Sequence, residues 1–155
     1  MSQLDSYIAI EGPIGVGKTS LAEMIAEKLN ARKVFEDFKG NPFLEEFYED
    51  PDSNALQTQV WFLLQRYQQQ QKEIKQLNAF QKGVITDYMF EKDRLFAEFT
   101  LRSQAEFELY SSVADILEKD IIKPDMVVYL QADTSRLMKN ICLLYTSDAA
   151  DESVC

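Results

Sequence analysis

The 155-residue sequence contains no histidine. That absence removes Ser-His-Asp and Cys-His catalysis, and any histidine-ligated metal, from the chemistry the chain can perform. Cysteine is nearly missing too: Cys142 and Cys155 both lie in the last fourteen residues. A disulfide framework is therefore not expected to hold the fold, and a reducing, cytoplasmic setting is expected. Long apolar runs are missing, the longest being comparable to Met126–Leu130, so no membrane span is expected. The opening residues MSQLDS have neither a basic start nor an apolar stretch, so no signal peptide is expected. Basic residues are in short supply, 16 against 26 acidic ones, leaving a formal charge of −10. Such a balance argues against a broad basic patch, so nucleic acid is not an expected partner. What remains is 46% hydrophobic and 27% charged, the composition of one globular domain with a real core.

Glycine is also scarce, and three of the five fall between positions 12 and 17. They follow Tyr7–Glu11, a short apolar run that reads as a buried strand. A helix is predicted from about Lys18 to Asn30, with Leu21, Met24, Ile25 and Leu29 on one face. A second strand is read at Lys33–Phe35, ending in Glu36-Asp37. Asn41-Pro42 reads as a helix cap with proline at the first helical position, and Asp50-Pro51-Asp52 as a turn. A long helix is predicted from Asn54 to Asn78, with the glutamines 68–71 on a solvated face. A third strand covers Val84–Thr86. Helices follow around Glu91–Thr100 and Gln104–Lys119, then a fourth strand at Met126–Leu130 and a helix from Thr134. Strands alternating with helices predict an α/β protein with a parallel sheet.

Residues 12–19 read GPIGVGKT, the pattern G-x-x-x-x-G-K-[ST] of a phosphate-binding loop. Glycines let backbone N–H groups approach phosphate oxygens. Lys18 supplies a positive charge to the β- and γ-phosphates, and Thr19 offers a hydroxyl to Mg²⁺. The helix beginning there points its positive end at the anion. ATP and Mg²⁺ are the expected cofactors. Gly12, Pro13, Ile14, Gly15, Val16, Gly17, Lys18, Thr19 and Ser20 form the expected nucleotide-binding segment.

The loop specifies nucleotide binding and leaves the reaction open. Asp37–Gly40 matches D-x-x-G, but the guanine-reading N-K-x-D is absent, so a GTPase is disfavoured. A kinase of a nucleoside monophosphate needs arginines for the acceptor phosphate, and none lies between Arg32 and Arg66.

Five segments in order carry a resemblance: GPIGVGKTS, VFEDFKGNPFLEEFYED, LQTQVWFLLQRYQQQ, ITDYMFEKDRLFA and VVYLQAD. From about Asp5 to Ile141 the chain resembles bacterial deoxynucleoside kinases, most of all the deoxyadenosine/deoxyguanosine kinase branch. The resemblance implies a three-layer α/β/α P-loop NTPase fold that is incomplete at the C-terminus. It implies transfer of the γ-phosphate of ATP to the 5′-hydroxyl of a deoxynucleoside in nucleotide salvage. It also implies a homodimer.

By the same resemblance Glu36 is the general base, and Tyr48 touches the sugar 3′-hydroxyl. Gln59 hydrogen-bonds the base edge, with Gln57 as the alternative. Arg66 and Asp93 form a charged pair beside the base, and Asp87 assists Mg²⁺. Trp61, Phe62 and Phe90 line an apolar pocket or simply pack the core. Each polar role has a plainer alternative: a solvated acid for Glu36, a packed tyrosine for Tyr48, an ordinary salt bridge for Arg66 and Asp93. The chain departs from the commoner family pattern after Asp87, where Tyr88 stands in place of an arginine near the transferred phosphate. Arg94 is one candidate for that role.

From Cys142 onward a different reading is suggested. The family pattern continues with an arginine-rich lid, whereas CLLYTSDAADE, Cys142–Glu152, matches the translation of a transposase-type sequencing adapter. Residues 1–141 are therefore expected to form the kinase domain and 142–155 an artefactual tail. Such a chain is expected to be a poor kinase, or a binding-only or inert fragment, with exposed apolar surface.

Overall fold

A computed structural model describes residues 6–76 and 82–147. The described residues contain a four-stranded, all-parallel sheet in the order β2-β3-β1-β4. Its strands are β1 (Ser6–Glu11), β2 (Arg32–Val34), β3 (Gly83–Thr86) and β4 (Met126–Tyr129). The helices are α1 (Lys18–Leu29), α2 (Leu44–Glu49), α3 (Pro51–Gln69), α4 (Lys92–Thr100), α5 (Gln104–Glu118) and α6 (Thr134–Ser147). The sheet is registered by Ser6↔Gly83 and Ile8↔Met126 around the central β1.

Alternation along β1 separates the two faces. Ile10, with Ile85 of β3, packs against Ala22 and Ala26 of α1. Tyr7 and Ala9, with Val34 and Val84, pack on the opposite face with Ile74. A period of two residues on a twice-covered strand requires both sets to be apolar, as they are. Behind that second face α3, α4 and α5 form their own core around Leu63, Phe90, Ala97 and Tyr110. The edge strand β4 leaves Met126, Val127 and Tyr129 exposed.

Three local expectations are corrected. Asp50-Pro51 is the start of α3 and not a separate turn: the Asp50 carboxylate accepts from Ser53 N at 3.3 Å and Pro51 stands at the first helical position. Asn41 caps no helix; its Oδ1 accepts from Phe43 N at 3.0 Å in a tight turn, and α2 begins at Leu44. The glutamine run is not wholly solvated. α3 passes into a π-helical turn over Gln70–Ile74, and both Gln69 and Gln70 are buried. The Gln69 amide donates to Phe35 O at 3.0 Å. Gln70 donates to Ile122 O at 3.3 Å and accepts from Ile122 N at 3.1 Å. Gln69 and Gln70 stand three and four residues after buried Arg66 and so continue the buried stripe of α3.

α6 continues past the expected boundary at Ile141 without a break. Positions 148–155 of the expected tail, and the predicted helix residues 77 and 78, lie outside the described residues.

Candidate active site

β1, β2 and β3 end on the same side of the sheet, because parallel strands share a direction. Their C-terminal ends carry Glu11, Glu36 and Asp87, and ligands of open parallel sheets bind at this edge. The phosphate loop leaves β1 here. Gly12 has φ +151°, and a Cβ on it would stand 2.6 Å from Leu130 O. Glycine is therefore required by contact with the chain leaving β4. Gly17 has φ +100° and ends the loop at the first turn of α1. The loop is braced from its far side by α6, whose Asn140 amide donates to Gly15 O at 2.7 Å. Ile14 and Ser20 are exposed, while Pro13 and Val16 are half-buried and joined by a Val16 N to Pro13 O hydrogen bond of 3.3 Å.

Lys18 folds back over the loop and donates to Gly12 O at 2.8 Å and Pro13 O at 3.1 Å. Burial pushes its ammonium below the ordinary lysine range, and the nearby charge of Lys92 adds to this. Glu11, Glu36 and Asp87 pull the other way. The predicted base, the predicted metal carboxylate and the phosphate-loop lysine therefore lie within electrostatic reach of one another.

Asp87 links the parts. It is buried; Oδ2 accepts from Thr19 Oγ1 at 2.7 Å and Oδ1 accepts from Glu36 N at 2.8 Å. One carboxylate thus ties the start of α1 to the chain leaving β2. Among the described residues no three acidic, cysteine or histidine side chains cluster as a metal cage. A hydroxyl and one carboxylate at the end of a phosphate loop nevertheless suit Mg²⁺, which completes its shell from phosphate oxygens and water.

Glu36 meets Arg66 on the other side. The Arg66 guanidinium, 4% exposed, donates through Nη2 to Glu36 and through Nη1 to Asp93, itself 2% exposed. Its Cζ lies 5.0 Å from the Tyr88 ring centre and 5.6 Å from that of Phe62. Arg66 Nε and Asp93 Oδ2 are buried without a hydrogen-bond partner. Unpaired buried polar atoms are costly, so a donor and an acceptor held open here suit a polar ligand. Gln59 is buried two turns before Arg66 on α3, hence on the same face. Gln57 turns onto its own helix, donating to Asn54 Oδ1 at 2.8 Å.

Some expected residues stand apart. Tyr48, on α2, is 73% exposed with its ring against Phe47. Phe90 belongs to the core between α3 and α5, whereas Trp61 and Phe62 are half-buried and meet edge to face. Arg94 faces α5, where it pairs with Asp115 and Glu118. Asp37 accepts from Gly40 N at 3.1 Å, so the D-x-x-G match is a local turn. Two residues went unnoticed in sequence: Glu11 and Lys92. A carboxylate directly before the glycine loop was the only signal for the first; position on the turn after Asp87 was the only one for the second.

Comparison with known proteins agrees with this geometry. The deoxynucleoside kinase family profile matches residues 8–146, past the expected boundary at 141. The chain is 36% identical over 135 residues to a deoxyguanosine kinase of Bacillus subtilis (strain 168), covering 87% of this chain and 65% of the relative. It is 32% identical over 142 residues to a deoxyadenosine kinase of Dictyostelium discoideum, covering 89% and 56%. The chain therefore spans less than two thirds of these curated relatives. A deoxyadenosine kinase from M. mycoides, solved with dCMP and dCDP bound, superposes with TM-score 0.68 at 25% identity, covering 88% of this chain and 68% of that one. With the phosphate loop, the strand-end carboxylates and the profile all coinciding, the chain belongs to the deoxynucleoside kinase family.

Proposed function

We propose that this chain carries out ATP-dependent phosphorylation of a deoxynucleoside, deoxyadenosine or deoxyguanosine, at its 5′-hydroxyl, in cytoplasmic nucleotide salvage. The observation that carries this reading is the Asp87 carboxylate, which joins Thr19 of the phosphate loop to the backbone beside Glu36. A donor phosphate on the loop and an acceptor hydroxyl at Glu36 then meet at one point. Lys18 and the loop N–H groups hold the triphosphate. Thr19 and Asp87 would hold Mg²⁺, which when bound neutralises phosphate charge. The 5′-oxygen attacks the γ-phosphorus while its proton passes to Glu36, and the electron pair of the broken P–O bond leaves on ADP. Gln59, with the open Arg66 Nε and Asp93 Oδ2, reads the base. Tyr48 reaches the sugar 3′-hydroxyl. An open surface hollow lined by Pro13, Tyr129 and Gln131 flanks the loop.

A monophosphate acceptor is disfavoured because Arg66 is already committed to two carboxylates. No helix of the described residues is long and apolar enough to cross a membrane. Large apolar side chains exposed on α4 and α5, among them Phe99, Leu109 and Ile116, support a homodimer through those helices. The charge of −10 supports a protein that leaves nucleic acid alone.

Single-turnover transfer from radiolabelled ATP to each of the four deoxynucleosides tests the reading. Purine monophosphate is the expected product. Glu36→Gln should keep ATP binding and lose about 10²–10⁴-fold in transfer rate. ATP binding with no transfer to any acceptor would favour an inert nucleotide-binding chain, and preference for a nucleoside monophosphate would overturn the acceptor assignment. We also read residues 142–155 as foreign to the kinase, because the amino-acid run Cys142–Glu152 matches the translation of a sequencing adapter. Coding DNA from an independently prepared library should replace them with an arginine-rich segment; the same codons in the genome would refute that reading.

A further inference from the structure

The position after Asp87 raises a question that two residues fail to answer. Tyr88 is fully buried, donates its hydroxyl to Gln69 Oε1 at 2.6 Å, and lies under the Arg66 guanidinium. It is a core residue and carries no charge to the phosphates. Arg94 is held by two carboxylates of α5. We propose that Lys92, the first residue of α4, contacts the terminal phosphate of the bound nucleotide and supplies the cation that neither Tyr88 nor Arg94 provides. This inference rests on the phosphoryl-transfer reading above.

Glu11 sets its place. Glu11 Oε2 accepts from Gly12 N at 3.0 Å and Oε1 accepts from Met89 N at 3.2 Å. The carboxylate thus pins the opening of the phosphate loop to the β3–α4 connection. Lys92 Nζ lies 3.7 Å from Glu11 Oε1, with its side chain 18% exposed, and 5.6 Å from the Phe96 ring centre. A charged hydrogen bond to a carboxylate is normally about 2.7–2.9 Å. At 3.7 Å the ammonium is held near the loop with donors still to give. Lys18 Nζ sits over the same loop, 2.8 Å from Gly12 O. Two ammonium groups converging on one glycine loop repel each other, and a polyphosphate between them turns that repulsion into attraction for both. Glu11 acts as the positioning residue, since it holds loop and lysine together.

The test compares ATP, ADP and AMP binding by calorimetry in the full chain, for the parent, Lys92→Met, Lys92→Arg and the surface control Lys123→Met. The expected result is about a tenfold loss of ATP affinity in Lys92→Met, the scale of one charged hydrogen bond. AMP affinity should be unchanged, with recovery in Lys92→Arg and no change in Lys123→Met. The steepness of ATP binding against salt should also fall in Lys92→Met. An equal loss for all three nucleotides, or ATP affinity within twofold of the parent, would show that Lys92 only ties the loop to α4 and would overturn the proposal. A parent chain that binds no ATP would overturn the phosphoryl-transfer reading itself, an outcome distinct from the first two.

Discussion

Replacing Arg66 by methionine should be the most damaging single change outside the phosphate loop. The guanidinium is buried between Asp93 and Glu36. Asp93 is almost fully buried, so its charge gains little from solvent; Glu36 is partly exposed and recovers some hydration. Removing one partner of a buried pair costs about 3–5 kcal/mol, because the carboxylate left behind is uncompensated. Losing the guanidinium from the Tyr88 ring adds about 0.5–2 kcal/mol. Against a total stability of about 5–15 kcal/mol, the sum is a large share. For a chain of this size each kcal/mol moves the melting temperature by about 2–4 °C, so a fall of about 7–28 °C is expected. Urea unfolding followed by circular dichroism and by Trp61 fluorescence reads the change. A double-mutant cycle isolates the pair: Arg66→Met with Asp93→Asn should be more stable than Arg66→Met alone by about 1–3 kcal/mol. If Arg66→Met lies within about 1 kcal/mol of the parent, below the buried-pair range, the reasoning fails. It also fails if the two losses simply add.

Three further outcomes follow from the same geometry. Lys18 titrates below the ordinary lysine value because of burial and Lys92, so between its lowered value and the ordinary 10.5 the unfolded chain binds more protons and stability rises with pH. Lys18→Met should flatten that rise in denaturation curves, and in the parent ATP affinity should decline as pH climbs through the same window. Gly12→Ala places a methyl group against Leu130 O at a positive φ; about 1–3 kcal/mol of stability should be lost, with ATP binding abolished in a titration. Gln70→Leu deletes a paired donor and acceptor to Ile122. It should cost about 1–3 kcal/mol by chemical denaturation and leave nucleotide affinity unaltered.

The parts of the site that sequence made legible are those fixed along the chain. The glycine loop is local, so its spacing alone predicts its shape. Glu36 and Asp87 were singled out by the family resemblance; that both follow strands of one parallel sheet is the physical reason they lie close together. Contacts between distant elements were not legible. Glu11 and Lys92 are separated by about half of the chain and meet only when β1 and β3 pair. Asp50-Pro51 spells both a turn and a capped helix start, and only the continuing helix decides between them. Gln69 and Gln70 look like solvated residues by composition. Their burial continues the helical stripe of Leu63 and Arg66, a pattern that their polar composition hides. Tyr48 on α2 is 73% exposed, which leaves it open to a sugar hydroxyl or to water alike, so its role is carried by the resemblance alone.

The central strand has a consequence for synthesis. β1 pairs with nothing near it in sequence: Ser6 waits for Gly83, and Ile8 for Met126 as well. A ribosome adds about 5–20 residues per second, so the apolar β1 spends roughly 4–15 s outside the exit tunnel's end of the chain before β3 exists. During that interval YIAI is an unpaired strand with two sticky edges. The nascent chain therefore depends on its first helix or on a chaperone to mask that segment, and fast translation through codons 30–86 would shorten its exposure.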